Sequence, residues 1–431
     1  MLEDDKYRTS TQFRLWSFTP SSLQSVRANT NALAAERVRC AIRRAREARG
    51  EDGAEAGGAG GAGAGEIECL TAEEELELVR YYCEKTMELG DEYKPPLPTM
   101  VRATAIQYLR RFYLTNSPMT YHPKSIMPCA LFLATKTDNY YLSLSSFAEH
   151  IPTSPTPEDI IAPEFLLTQG LRFTFDVRHP FRGLEGGVME LLAIAEGDAH
   201  PGPHRKQKFP SAVEAQRKLE SLPPSPGAGG ASSSATNRIH KSHHYAREIL
   251  KSAAQMTDAY FLYTPSQIWF AALYLADKPL GEFYFDYKIG LPESEEDRSA
   301  DDPLSPLRTP ILKKIKECAD LLSSYTPSAS ASPERMKSLK RIGKKLYHCQ
   351  NPEKVDLVGL NRAQKQKREG VSASSGAAAA GAAGEVFDGA GSGAGGGGVG
   401  KGEAVEMPER AVKKRKVGDD GGEMFGGELR G

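Results

Sequence analysis

Cysteine and tryptophan are scarce in this chain, with six and two respectively among 431 residues. The cysteines (Cys40, Cys69, Cys83, Cys129, Cys318 and Cys349) are scattered and form no C-x-x-C pair. That spacing argues against a zinc site or a disulfide framework and reads as reduced, mostly buried thiols in the cytosol or nucleus. No apolar run approaches the roughly 18 residues that span a bilayer. The opening Met1-Leu2-Glu3-Asp4-Asp5 is acidic rather than signal-like. Neither sign of charge dominates, with 55 Lys and Arg against 56 Asp and Glu. This balance argues against global attachment to nucleic acid or to an anionic membrane. Catalytic signatures are missing too: there is no G-x-S-x-G, no H-E-x-x-H, no Walker loop and no kinase signature set. Gly58 to Gly63 spells G-x-G-x-x-G, but low-complexity sequence surrounds it where a strand and a helix N-terminus are needed to cradle phosphate. The reading is of a non-enzyme with no cofactor and no metal.

The 41 glycines are concentrated in a few runs. Residues 46–67, 197–236 and 351–431 are rich in Gly, Ala, Ser or Pro and are predicted to be linkers or tails, since they bury too little apolar surface to offset their ordering entropy. They separate an N-terminal segment with a helix (1–45), a helical block (68–196), a second helical block (237–326) and a C-terminal helix (327–350). Thr71 and Glu74 make a capping box, and Leu76, Val79, Cys83 and Met87 follow on one face. From Thr99, apolar residues cover most of the circumference through Tyr113, as expected of a central buried helix. The stretch from Ile126 to Ala134 is similarly apolar. Brief alternation appears only at Phe173, Phe175 and Val177. The second block repeats the plan: a long helix from about Arg238 to Tyr260, a break, then an apolar helix opened by Thr264 as N-cap and Pro265 at the first position. Another runs from Pro310 to Tyr325. The fold class is all-α.

Three clusters invite a chemical reading. His240, His243 and His244 share a helix face, but no carboxylate or cysteine nearby in sequence completes a metal set, so a solvated helix start is expected. Lys136 ends an otherwise apolar helix, where a cation suits the dipole and reaches water. Lys413, Lys414, Arg415 and Lys416 form a compact basic cluster in a flexible tail, which reads as a nuclear-import signal. Ser305-Pro306 and Thr309-Pro310 stand in a polar stretch before the Ile311 helix, where phosphate would sit well at a helix N-terminus.

The segments Phe132-Leu133-Ala134-Thr135-Lys136 and Asp258-Ala259-Tyr260-Phe261-Leu262-Tyr263-Thr264-Pro265 resemble the paired repeats of the cyclin family. Arg111-Phe112-Tyr113-Leu114, Tyr121-His122-Pro123 and Trp16-Ser17-Phe18 are similar to its cyclin H branch. The resemblance spans about 15–45, 68–196 and 237–350. It implies two tandem five-helix cyclin boxes flanked by N- and C-terminal helices that pack on the boxes and on each other. It also implies a regulatory subunit of a CDK-activating kinase serving RNA polymerase II transcription and the cell cycle in the nucleus. The implied partners are a cyclin-dependent kinase 7-type catalytic subunit, a RING-finger assembly factor and the core of transcription factor IIH, with no direct nucleic acid and no membrane. In cyclins the lysine of F-L-A-x-K and a glutamate closing the first repeat bond the kinase backbone beside its αC helix; the matching residues are Lys136 and Glu164. Pro128 and Pro163 depart from the usual pattern and remove backbone donors next to both. Leu109-Arg110-Arg111-Phe112 stands where cell-cycle cyclins read I-D-R-F, and M-R-A-I-L is missing, which points to the transcription-linked branch. The alternatives are a transcription cyclin of the C or K type, or a nucleic-acid-binding adaptor resembling transcription factor IIB. The second lacks support, because the cysteine pairs of a zinc ribbon are missing and the boxes are not strongly basic.

Overall fold

The computed structural model describes residues 2–48, 68–151, 155–198, 211–224, 234–289, 305–327 and 332–351. The Lys413–Lys416 cluster lies outside them. Among the described residues every regular element is a helix.

Three helices lead the chain: α1 (Leu2–Thr9), α2 (Thr11–Trp16) and α3 (Pro20–Glu47). The first repeat comprises α4 (Ala72–Glu92), α5 (Thr99–Thr115), α6 (Pro123–Thr137), α7 (Leu144–Glu149), α8 (Pro157–Ile161) and α9 (Glu164–Gly170). Helix α4 opens on the Thr71–Glu74 capping box, which satisfies two otherwise orphaned backbone donors. Helix α5 is the axis of the repeat: every residue from Val101 to Leu114 is buried. The His122 side chain caps α6, Pro123 takes its first turn, and the helix runs unbroken through Pro128. Proline there costs one backbone bond without ending the helix, because the segment on either side is locked into the core.

The second repeat holds α10 (Phe181–Glu196), α11 (Ala212–Glu220), α12 (Ala235–Lys251), α13 (Ala253–Met256), α14 (Ala259–Leu262), α15 (Pro265–Ala276), α16 (Lys278–Ile289) and α17 (Ser305–Ser323). Its axis is α15, opened by a capping box between Thr264 and Gln267 and buried at Ile268, Ala271, Ala272 and Leu273. Gly183 and Gly187, one turn apart on α10, seat the Trp269 indole; a Cβ at either would fall within 2.4 or 2.8 Å of it. The approach of these two helices therefore demands glycine.

Several expectations change here. Helix α10 was assigned by sequence to the first block, 68–196, yet Phe181, Leu184, Val188, Leu191 and Ile194 all enter the second core. The repeats part before Phe181 because the apolar face of α10 finds α12 and α15, not α5. The 197–236 insert is not wholly a linker, since Ala215 and Leu219 of α11 are buried in that same core. The long helix expected from Arg238 to Tyr260 breaks at Ser252 (φ −102°, ψ −82°) into α12, α13 and α14. Ser305 and Thr309 lie inside α17 rather than in a loop before it. The alternation at Phe173, Phe175 and Val177 forms no strand; Arg172 and Phe173 both sit at φ 54° in a turn.

The terminal helices pack as the family resemblance implies. Ala34, Ala35, Val38 and Ile42 of α3 share a cluster with Leu70, Leu78 and Met119, together with Ile342, Leu346 and Cys349 of α18 (Pro333–Gln350). On α3, Leu33 is exposed while Ala34 and Ala35 beside it are buried. Lys345 of α18 turns inward to Glu68 (2.5 Å) and Glu74 (2.9 Å).

Candidate docking surface

Helix α6 delivers Lys136 in its last turn, and Asp138 closes the helix by donating its backbone N–H to the Ala134 carbonyl. Helix α9 begins at Glu164, with Pro163 just before it and the Pro163 carbonyl accepting from Leu167 N–H at 2.8 Å. Proline thus starts α9 rather than disturbing it, since the first helical turn has no use for its missing donor. Across the gap, Lys136 Nζ donates to Glu164 Oε1 and Oε2 at 2.7 Å each. The same ammonium sits 4.9 Å from the Phe132 ring centroid. The two side chains are 43% and 30% exposed, so the couple is open to a partner. Lysine keeps a third proton, and each carboxylate oxygen keeps a lone pair, for groups brought by that partner.

The flanking sequence adds an apolar rim. Phe165 is 68% exposed, Tyr141 92% and Ile161 40%, unusual values for large apolar side chains beside a charged couple. Sequence reasoning missed these three. The signal was present for Phe165: Leu167 and Leu171, one turn apart, define the buried face of this segment, and Phe165 falls off it.

Behind the couple, a chain of hydrogen bonds, buried from Gln107 to Tyr260 and part-buried from there to Asp138, reaches the second repeat. Gln107 Nε2 donates to Gln255 Oε1 at 3.0 Å, and Gln255 Nε2 donates to the Tyr260 hydroxyl at 2.8 Å. Tyr260 meets His179 Nδ1 at 2.8 Å, His179 Nε2 meets Thr104 Oγ1 at 3.0 Å, and Thr104 donates to Asp138 Oδ2 at 2.8 Å. With Gln255 donating at one end and a carboxylate accepting at the other, Tyr260 donates to Nδ1 and the imidazole carries its proton on Nε2. Burial, with Arg111 adding to it, depresses the His179 pKa to about 3, so the ring is neutral. The terminus of this chain, Asp138, is also the residue that ends α6 directly after Lys136.

Asp258 makes the second tie. Arg27 of α3 grips it with both terminal nitrogens at 2.8 and 2.7 Å, and Arg110 of α5 donates to Oδ1 at 2.5 Å. Arg110 also reaches the Gln255 carbonyl at 3.2 Å. Burial opposes ionisation of Asp258, but the Arg27 hydrogen bonds and the charges of Arg110, Arg27 and Arg80 overcome it and pull the pKa to about 2. Its neighbour Arg111 donates to Gln12 Oε1 and the Asp176 carbonyl, both at 3.2 Å, with its guanidinium over Trp16. Trp16 Nε1 in turn donates to Thr174 Oγ1 at 2.9 Å. Arg110, which stands where the cell-cycle wording has aspartate, and Arg111, which that wording shares, therefore anchor the second repeat and the N-terminal segment to α5.

The remaining sequence candidates separate from this surface. His243 Nε2 lies 3.1 Å from a Glu185 oxygen of α10, while His240 and His244 are exposed. No group of three or more His, Cys, Asp or Glu side chains placed to hold a metal occurs among the described residues.

Two helical repeats, each wound on one apolar helix and tied by buried polar contacts, with an exposed charged couple on the first, define a protein-docking scaffold. The family model described as "Cyclin C-terminal domain" matches residues 179–323, starting where the second core starts. Cyclin CCL1 of Saccharomyces cerevisiae is 28% identical over 373 residues, covering 81% of this chain and 82% of its own. Cyclin-H of Xenopus laevis is 29% identical over 296 residues, covering 67% and 75%. A chain in the structure of the CAK complex from Chaetomium thermophilum bound to ATP-gamma-S is 32% identical, with a TM-score of 0.61 over 85% of this chain and 96% of that one. The chain belongs to the cyclin family, in its cyclin H-like branch.

Proposed function

We propose that this cyclin H-like chain regulates its kinase through the face that carries Lys136 and Glu164. Its function is that of a regulatory subunit of a CDK-activating kinase in RNA polymerase II transcription and cell-cycle control. The observation that carries the proposed contact is the doubled 2.7 Å hydrogen bond that holds the exposed Lys136–Glu164 couple between α6 and α9. In the complex, the spare donor and lone pairs of the couple satisfy backbone groups beside the kinase αC helix, and Phe165, Ile161 and Tyr141 cover the apolar surround. Activation is then allosteric. The docked scaffold holds αC inward, so that its glutamate pairs with the lysine that positions ATP.

The partner is a cyclin-dependent kinase 7-type subunit, joined by a RING-finger assembly factor and served to the core of transcription factor IIH. The protein acts in the nucleus, with Lys413, Lys414, Arg415 and Lys416 as its import signal. The chain contributes regulation rather than catalysis. The test is calorimetry of the full chain with the kinase subunit. Changing Lys136 and Glu164 together to Ala weakens binding by about 2–5 kcal/mol, because the kinase groups they serve are left desolvated and unpaired. Unaltered affinity overturns the assignment.

A further inference from the structure

The fold brings two cysteines from distant parts of the sequence together. Cys349 lies in the last turn of α18, buried within the cluster that also contains Ala34, Ala35 and Leu70. Cys69, just ahead of α4, packs against that cluster from its edge and is only partly covered. Cys69 Sγ donates to the Ala35 carbonyl at 4.0 Å, inside the same cluster as Cys349, and Cys69 lies near enough to help burial raise the Cys349 pKa. Both segments are held in place around them. Glu68, next to Cys69, accepts from Lys345, one turn before Cys349, and Gln350 Nε2 donates to the Pro118 carbonyl at 2.8 Å. On the other side of Cys69, Asn31 of α3 donates to the Leu70 carbonyl at 2.8 Å. The thiols are thus presented to one another by anchored backbone on both sides.

We propose that Cys69 and Cys349 are a modification site at which an oxidant such as a peroxide forms a disulfide, locking α18 to the segment that opens the first repeat. The Cys69 thiolate attacks one peroxide oxygen, the O–O bond breaks, and the first water leaves a sulfenic acid on Cys69. Cys349 gives up its proton and attacks that sulfur, the S–O bond breaks, and a second water departs. Two thiols lose two electrons and two hydrogens, and the peroxide is reduced to two waters. The order of events follows from exposure. Burial raises the Cys349 thiol pKa to about 12, so the partly exposed Cys69 meets the oxidant and the buried thiol resolves it. Cys83, Cys129 and Cys318 are buried, each pushed up to about 12, chiefly by that burial, and stay inert. Cys40 contacts Glu36 and Arg43 instead of a second thiol.

The experiment treats the full-length chain with hydrogen peroxide, alkylates the remaining thiols and maps peptides without reduction. The expected product joins the peptides of Cys69 and Cys349, about 2 Da lighter than their sum, leaves four of the six thiols open to alkylation once unfolded, and reverts with dithiothreitol. Cys69→Ser, a change at a partly exposed position, abolishes the product, whereas Cys40→Ser leaves it intact. Amide exchange across α18 slows by roughly tenfold or more in the oxidised chain, as expected of a cross-link that opposes local opening. A Cys69 that proceeds to sulfinic acid while Cys349 stays free overturns the proposal. So does a link that forms through Cys40. Unchanged exchange in the linked protein overturns the locking of α18.

Discussion

The charged groups at Lys136–Glu164 and at Asp258 use similar chemistry in opposite settings. The first couple is 43% and 30% exposed and joins two helices of one repeat. At Asp258, Arg110 is 4% exposed and Arg27 18%, and the carboxylate joins α3, α5 and the second repeat. An exposed pair adds little to stability, because water competes for both partners and the side chains lose freedom in meeting. A carboxylate only 22% exposed and held between two guanidinium groups is different: removing it strands Arg110, which has almost no route to solvent. The contrast assigns architecture to the Asp258 tie and leaves the Lys136–Glu164 couple available for a partner.

The sharpest way to break the comparison is Asp258→Ala. It leaves Arg110 buried without its counter-charge and lowers unfolding stability by about 3–5 kcal/mol in urea melts. Lys136→Ala, measured alongside, shifts stability by less than about 1 kcal/mol. Equal losses would remove the distinction. The next largest effect is on affinity. Exchanging the couple, Lys136→Glu with Glu164→Lys, preserves the intramolecular ion pair but, under the proposed contact, presents donors where the kinase needs acceptors. Binding then falls by about 2–5 kcal/mol in calorimetry while melting is retained, and restored binding would reduce the couple to an internal strut.

Acid probes this polar chain. His179 has a folded pKa of about 3, below its ordinary 6.5. Folding therefore keeps the ring neutral, and its contribution is complete above pH 6.5 and is lost progressively as pH falls towards 3. At pH 5 the loss is about 2 kcal/mol by linkage. Asp258, about 2 against 3.8, adds its own loss only below pH 3.8. The His179→Gln variant should flatten the stability profile between pH 6.5 and 4; an unchanged slope would show that another group governs it. A lesser loss belongs to Arg27→Ala. Arg110 stays paired with Asp258, so thermal melting reports a loss of about 1–2 kcal/mol, well short of the Asp258→Ala loss.

What was legible in the sequence was mostly local. The Thr71–Glu74 box rests on residues three apart, the Thr264–Pro265 helix start on neighbours, and the axes α5 and α15 announce themselves by apolar residues on nearly every side. Lys136 and Glu164 were named through the family resemblance, and their meeting at 2.7 Å depends on the turn that brings α9 beside α6. The repeat boundary was not legible. An amphipathic face on α10 says that it is buried but does not say against which helix. Arg110 and Arg111 were equally opaque, because arginine ordinarily reports solvent and their partners, Asp258 and Gln12, are remote in sequence. Leu33 shows the converse: it is exposed while Ala34 and Ala35 are buried, so hydrophobicity alone does not rank the buried positions of α3.

The hydrogen-bond chain from Gln107 to Asp138 has a grammar as well as a length. Apart from Gln107, which starts it, and Asp138, which only receives, each member acts once as donor and once as acceptor along it, so the order of roles cannot be reversed at one position alone. Thr104→Ser keeps the sense of the chain, whereas Tyr260→Phe cuts it and Thr104→Val silences both of its neighbours. A proton on His179 Nδ1 sets two donors, that nitrogen and the Tyr260 hydroxyl, facing each other across 2.8 Å. One added proton therefore contradicts the Tyr260-to-His179 link, while the bonds from Gln107 to Tyr260 keep their sense. The two cyclin repeats are joined by a statement that is consistent in only one direction.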